Sequence, residues 1–415
     1  MTTSGRAANN VIYLFNGTYT HTLDMAANNG MTIKNYPGQS SVVLDPNCSS
    51  GSPCDYVIQL KGDAQKVEGL NQTGGWSTVA TEGGGIRLEG ATNAEIRNNT
   101  IYDNDGDIGG GANVCGVYVY ADSGGNNFHH NTLYDNYGRT SITNQNNRQI
   151  ALFTGTGNHI QFNSMRYTAA PGASTENGCI VYKHSDDSSA STVYIHHNML
   201  SNCGAKPIAS GQPNSHIHHN TIGDMAAMSL PASPEQAGAI VIKDLGGPFR
   251  PTGIIIERNS IINSRWVVID PRDADITVGP ITVRYNVFHS NQASHSGENT
   301  DYGLGFYASL LKTETLAGPY ASNNNCFYNT TAAANYSDFG VVYSFADWKT
   351  NTGFDLSSFE ENPTLAAGTN KATSANCLDK GWNTAAATSG GSSGGSSISA
   401  IDNKKRRRCL KWSKR

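Results

Sequence analysis

One short pattern recurs along this chain and limits what it can fold into. It reads apolar residue, two positions, Asn, one position, apolar residue. The instances are Ile96, Asn99, Ile101; Phe128, Asn131, Leu133; Ile160, Asn163, Met165; Ile195, Asn198, Leu200; Ile217, Asn220, Ile222; Ile256, Asn259, Ile261; and Val283, Asn286, Phe288, with a weaker eighth at Asn325 and Phe327. Successive Asn residues lie 32, 32, 35, 22, 39, 27 and 39 positions apart. A fixed local motif at a ragged spacing with a floor near 22 describes a solenoid coil of constant minimum length carrying inserts of variable size. Asn tolerates the left-handed backbone conformation, so each is expected to occupy a tight bend between two strands. Stacked coils would bring the Asn amides into a ladder.

The remainder of each coil reads as short strands. Before most motifs lies a β-rich run of period two, as at Ile86 and Leu88, at Val117 and Val119, at Ile150 and Leu152, at Ile180 and Tyr182, at Ile240 and Ile242, and at Val267 and Ile269. A further short strand follows each Asn. Three strands per coil, separated by Gly, Asn, Asp and Ser, leave no stretch with a sustained helical period. The expected architecture is all-β: a single-stranded right-handed parallel β-helix of about ten coils with an asparagine ladder. The pattern resembles the large right-handed parallel β-helix superfamily, the architecture of pectate lyases, alginate lyases and many surface proteins, over roughly residues 8–385. The resemblance implies a fold rather than an activity, because this fold hosts many chemistries.

Composition divides the chain. Residues 8–388 form the expected β-helix, residues 389–403 begin as a Gly/Ser-rich spacer, and residues 404–415 form a basic tail expected to be unfolded or foreign to the protein. That tail carries eight of the 29 Lys and Arg and none of the 33 acidic residues, which leaves a formal charge of −12 on the rest. A body this acidic does not attract nucleic acid, and an acidic polysaccharide would need a local basic groove or a bound cation. No apolar run reaches transmembrane length, so no membrane partner is expected. A monomer outside the cell is the expectation, with any export signal removed before Met1.

The cysteines fit export. Cys48 and Cys54 bracket a Ser/Gly/Pro loop, Cys179 and Cys203 stand near equivalent strands of adjacent coils, and Cys326 and Cys377 can tie down the C-terminal segment. Cys115 and Cys409 remain over, and no spacing matches a zinc site. The segment from Asp355 to Leu365 and the segment around Cys377 resemble the closing piece of secreted β-helix proteins, where an open stack end needs covering.

In lyases of this fold, the strand preceding the Asn-bearing one faces the polysaccharide groove. Aligning those strands gives an outward column of Glu89, Tyr120, Phe153, Lys183, Ala209, Lys243 and Asp270, with neighbours about 4.8 Å apart. A second column runs Arg87, Tyr118, Ala151, Val181, Pro207, Val241 and Val268. Aromatic faces, cations and carboxylates in one line suit a glycan strip, with ring faces for stacking and charges for uronates. The candidate catalytic residues are therefore Lys183, Lys243 and Asp270, and the candidate substrate contacts are Glu89, Tyr118, Tyr120, Phe153, His184 and Arg272. Asp186, Asp187 and Asp244 follow the two lysines and can hold Ca²⁺ or orient a base.

Two other constellations carry chemistry. Asp103, Asp105 and Asp107 alternate as Ca²⁺ ligands do, although the residues around them do not complete an EF-hand loop. His-His precedes Asn at His129 and His130, His196 and His197, and His218 and His219. Stacked imidazoles can bind a transition metal, but the simpler reading is an outward ladder beside the Asn turn. Active-site signatures of polygalacturonases, the main pectate lyases, alginate epimerases and chondroitinase-B-like lyases are all missing. The leading functional expectation is a polysaccharide lyase acting by β-elimination on a uronate-containing glycan, with Ca²⁺ and no organic cofactor. The alternatives are a glycoside hydrolase using Asp244 and Asp270, and a non-catalytic glycan-binding module.

Overall fold

The computed structural model describes residues 10–25, 28–78, 83–106, 113–137, 146–168, 178–182, 192–204, 206–223, 238–243, 251–262, 267–270, 280–290, 320–329, 336–338, 341–366, 371–378 and 380–381. Three parallel sheets of nine, eleven and twelve strands run the length of a solenoid, so the strand counts differ somewhat from the ten coils expected. Sheet 1, of nine strands, contains Gly83–Glu89, Asn113–Tyr120, Gly178–Tyr182 and Ile240–Lys243. Sheet 2, of eleven, contains Glu95–Arg97, Val193–His196 and Ser215–His218. Sheet 3, of twelve, contains Thr100–Tyr102 and Met199–Ser201. The chain visits them in the order 1, 2, 3 and then steps to the next coil.

Register stacks like on like. Ile96, Phe128, Ile160, Ile195, Ile217, Ile256 and Val283 pair successively along sheet 2 and all are buried. Ile101, Leu133, Met165, Leu200, Ile222, Ile261, Phe288 and Phe327 do the same along sheet 3. A one-residue slip would turn every one of these side chains outward, so the apolar period fixes the register.

The Asn ladder runs unbroken from Asn99 to Asn325. Each Asn Nδ2 donates to Oδ1 of the next Asn at 3.0–3.1 Å. The same Oδ1 accepts the backbone N–H of the preceding Asn at 2.9–3.1 Å. Nδ2 also donates to the carbonyl of an apolar residue in the preceding coil, as from Asn198 to Ile160 at 2.9 Å. Amides buried in an apolar stack are thereby satisfied.

The expected left-handed Asn is corrected. The residue in that conformation is the one before it: Asn98, His130, Phe162, His197, His219, Arg258, Tyr285 and Asn324, all at φ 54–58°. A left-handed φ turns the chain sharply between sheets 2 and 3 while the Asn side chain points inward. The identity of the strained residue is free because its side chain projects away from the stack. The cost of about 1–2 kcal/mol for each is met by the network that the turn permits.

Two shorter ladders line the other corners. Asn104 Nδ2 donates to Asn136 Oδ1 at 2.7 Å, and Asn136 donates to Gln149 Oε1 at 2.6 Å. Asn126 takes the Ala94 N–H at 2.8 Å, and Asn158 takes that of Asn126 at 2.9 Å. These four Asn lie five positions after or before ladder members, a spacing visible in the sequence.

The C-terminal segment covers the last rung of the stack, as its resemblance to closing segments of β-helix proteins implied. Asn325, the last rung, donates to Asp355 Oδ1 at 3.0 Å, and its N–H donates to Ser358 Oγ at 2.8 Å. Asp355 also accepts the indole N–H of the fully buried Trp348 at 3.1 Å. Trp348 sits on a helix, Phe345–Thr352, which the period-two reading did not foresee. Ser344 caps it by accepting the Asp347 N–H, and Gly353 ends it at φ 72°. The three expected disulfides, Cys48–Cys54, Cys179–Cys203 and Cys326–Cys377, are all formed. Cys115 is buried, and Cys409 lies outside the described residues. No helix among the described residues is long and apolar enough to cross a membrane.

Candidate functional site

Backbone register supports part of the sheet 1 column, with one substitution and one addition. Glu89 pairs with Tyr120, and Lys243 pairs with Asp270. Between them, Val119 pairs with Leu152, Leu152 with Tyr182, Tyr182 with Ser210 and Ser210 with Ile242. Carrying that register one residue forward puts Gly211, not Ala209, on the rung below Lys243. Ala209 pairs with Val181 and Val241 and is buried with them, so it belongs to the second column in place of Pro207. The error arose from aligning a short strand by a Pro at its edge. The column also starts one coil earlier than the sequence reading had it, because Leu60 pairs with Leu88 and so sets Lys61 beside Glu89.

At this end of the strip the groups are interlocked. Glu89 Oε2 accepts from Gln59 Nε2 at 2.7 Å, with Arg87 at 3.6 Å and Lys61 at 3.8 Å. Two cations and an amide around one carboxylate hold it in place. The Tyr120 ring is 45% exposed, whereas Tyr118 is only 3% exposed. Tyr118 lies 6.1 Å from Tyr120 and 5.1 Å from Phe153 between ring centroids, so it packs beside both. The sequence had singled out Glu89, Tyr120 and Phe153; it missed Lys61, which the same column gives when extended by one coil, and Gln59, which pairs with Arg87 in the second column.

Of the catalytic candidates, Lys243 and Asp270 are neighbours in backbone register, and Lys183 lies outside the described residues, immediately after Tyr182. His184, Asp186, Asp187, Asp244, Arg272 and Asp107 lie outside them too. Asp103 stands at φ 51° beside the buried Asn104, and Asp105 Oδ1 accepts the Gly106 N–H at 2.8 Å. The short strand Asp105–Gly106 pairs with Trp76–Ser77, which fixes this loop against its neighbour coil.

The His-His pairs lie on the outer side of the turn after sheet 2, on a different sheet from the column. Among the described residues, His196, His197 and His218 are the one group of three whose ligand atoms come close enough to share a metal ion, at 4.8 Å or less.

The fold and the strip together define a parallel β-helix protein with an aromatic and charged column on one sheet. No protein-family profile matches the chain, and no curated protein matches it. Solved structures similar to it include alginate lyases. AlyF-OU02 in complex with G6 is 12% identical over 82% of this chain and 86% of that one, with a TM-score of 0.35. AlyGC, a PL6 family alginate lyase, is 13% identical over 91% of this chain and 56% of that one, with a TM-score of 0.35. A further PL6 alginate lyase in complex with a trisaccharide is 14% identical over 86% of this chain and 91% of that one, with a TM-score of 0.33. This chain thus spans little more than half of AlyGC. No residue role is carried over from these proteins.

Proposed function

We propose that the chain is a secreted polysaccharide lyase that binds a uronate-containing glycan along sheet 1 and cleaves it by β-elimination. The observation that carries this reading is the backbone register of sheet 1, which pairs Glu89 with Tyr120 toward one end and Lys243 with Asp270 at the other. Exposed Tyr120 offers a ring face for stacking a sugar, and the lysines and Arg87 offer partners for carboxylates and hydroxyls.

β-Elimination needs a base for the proton α to the carboxylate and a positive group to hold the charge that develops there. Lys243 and Asp270 are register partners on neighbouring strands, and a nearby carboxylate favours the charged form of a lysine. The reading therefore gives Lys243, beside Asp270, the carboxylate-holding role, and gives Lys183, separated from it by Gly211, the role of base. His184 and Arg272 would flank the sugar. A Ca²⁺ ion held by Asp186, Asp187 and Asp244 would neutralise the uronate carboxylate; Asp103, Asp105 and Asp107 form the second candidate set.

The test is a screen of acidic polysaccharides, followed by ultraviolet absorbance of the unsaturated uronate product, with and without a chelator. The expected result is product absorbance that Lys183→Ala abolishes and Lys243→Ala weakens together with binding. Reducing ends released without that absorbance would establish hydrolysis instead. Glycan binding with no cleavage would leave a binding module.

A further inference from the structure

The most concentrated set of chemically active side chains outside the column is the imidazole block on the outer edge of sheet 2. His196 and His218 are register partners on adjacent coils, and the left-handed His197 and His219 follow them. The rings stack in two parallel files: His196 on His218 at 4.7 Å and 5°, and His197 on His219 at 5.0 Å and 5°. Within each coil the two rings meet edge-on, with Nδ1 to Nδ1 at 2.7 Å in both. His216 joins from the adjoining column, 4.2 Å from His218 between ring centroids, and its Nε2 lies 3.0 Å from Glu257 Oε1.

A contact of 2.7 Å between two Nδ1 atoms can hold one proton and no more. One ring of each pair therefore presents an Nδ1 lone pair toward its neighbour, and that lone pair becomes a metal ligand once the rings part. Neutral imidazoles are the ligand form.

We infer that His196, His197 and His218 form a binding site for a borderline divalent transition metal of the Zn²⁺, Ni²⁺ or Cu²⁺ class. The ligand set is all imidazole, which favours those ions over Ca²⁺ or Mg²⁺. Metal–nitrogen bonds of about 2.0–2.1 Å place tetrahedral ligands about 3.3 Å apart. The three residues offer ligand atoms within 4.8 Å of one another, and ring rotation would have to part the 2.7 Å Nδ1 pair and draw the third ligand in. The ion would join the coil of Asn198 to the coil of Asn220, the pair with the shortest intervening chain, 22 residues. Its role is to pin adjacent coils, and it is separate from the glycan column on sheet 1.

The experiment titrates the full chain, stripped of metal, with Zn²⁺ by calorimetry and with Co²⁺ by visible absorption. One equivalent of Zn²⁺ with micromolar or tighter affinity is expected, with ligand-field bands of Co²⁺ coordinated by imidazole and a raised melting temperature. His218→Gln and His196→Gln should each weaken Zn²⁺ binding at least tenfold (about 1.4 kcal/mol or more), with unaltered circular dichroism. His129→Gln, from the pair that stacks on Phe162 rather than on a second His pair, should leave it unchanged. Absence of Zn²⁺ binding to the parent, or binding that survives both His196→Gln and His218→Gln, would overturn the inference. The readouts do not involve a glycan, so they stand or fall apart from the lyase reading.

Discussion

Asn198→Leu isolates the Asn ladder from every other feature of the coil. Asn198 Oδ1 accepts two hydrogens, the Asn163 N–H and the Asn163 Nδ2–H, both at 3.1 Å. Its Nδ2 donates at 2.9 Å to the Ile160 carbonyl and at 3.0 Å to Asn220 Oδ1. Leucine fills much of the same volume but strands both Asn163 donors in a fully buried site. At about 1–3 kcal/mol for each buried donor left unpaired, the loss is about 2–6 kcal/mol. Asn220 Oδ1 suffers less, because it still accepts the Asn198 backbone N–H at 3.1 Å. Urea titration followed by circular dichroism reads the difference, with matched slopes required before midpoints are compared. A change below about 0.5 kcal/mol for Asn198→Leu, the size of an ordinary surface substitution, would refute the ladder as a source of stability.

Other outcomes follow from the same geometry. Arg258, at φ 54°, should tolerate Gly with a neutral or slightly stabilising effect, whereas Arg258→Val should cost about 1–2 kcal/mol in the same titration. Trp348→Ala should destabilise by about 3–5 kcal/mol, because it empties a fully buried site and removes the donor to Asp355. His130, His159, His196, His197, His218, His219 and His289 all have lowered pKa values, with burial as the largest cause. The unfolded chain then binds more protons than the folded one below the ordinary histidine value of about 6.5, so stability should fall as pH drops from there toward 4. Thermal melts in chelator across that range measure the slope, and His196→Gln with His218→Gln should flatten it.

The coil was legible in the sequence because apolar spacing and the recurring Asn are both local and both enforced by stacking. Residues such as Ile96 and Ile101 bracket their Asn at offsets that only a bend between two inward-facing strands satisfies. The misplacement of the left-handed residue came from intrinsic preference. Asn favours that conformation, yet Phe162 and Tyr285 occupy it because the surrounding coil dictates the turn. Disulfide pairing was legible for a similar reason, since coil equivalence brings Cys179 and Cys203 together. The helix at Phe345–Thr352 was hidden by its length, although Ser344, Asp347 and Gly353 spell its caps. The column on sheet 1 was legible only to within a rung. Its register around Ala209 depends on where Ile208–Ser210 begins, and a three-residue strand offers too little pattern to fix that. Contacts such as Gln59 to Glu89 join residues 30 positions apart through coil geometry, and no local pattern announces them.

The lyase reading meets its most direct test in one comparison: ultraviolet product absorbance from a uronate-containing polysaccharide, measured for the parent chain, Lys183→Ala and Gly211→Trp. The account predicts absorbance from the parent and none from either variant. One variant lacks the base, and in the other the bulky ring fills the rung between the two lysines. Full activity in both variants would place the chemistry away from this column and contradict the account.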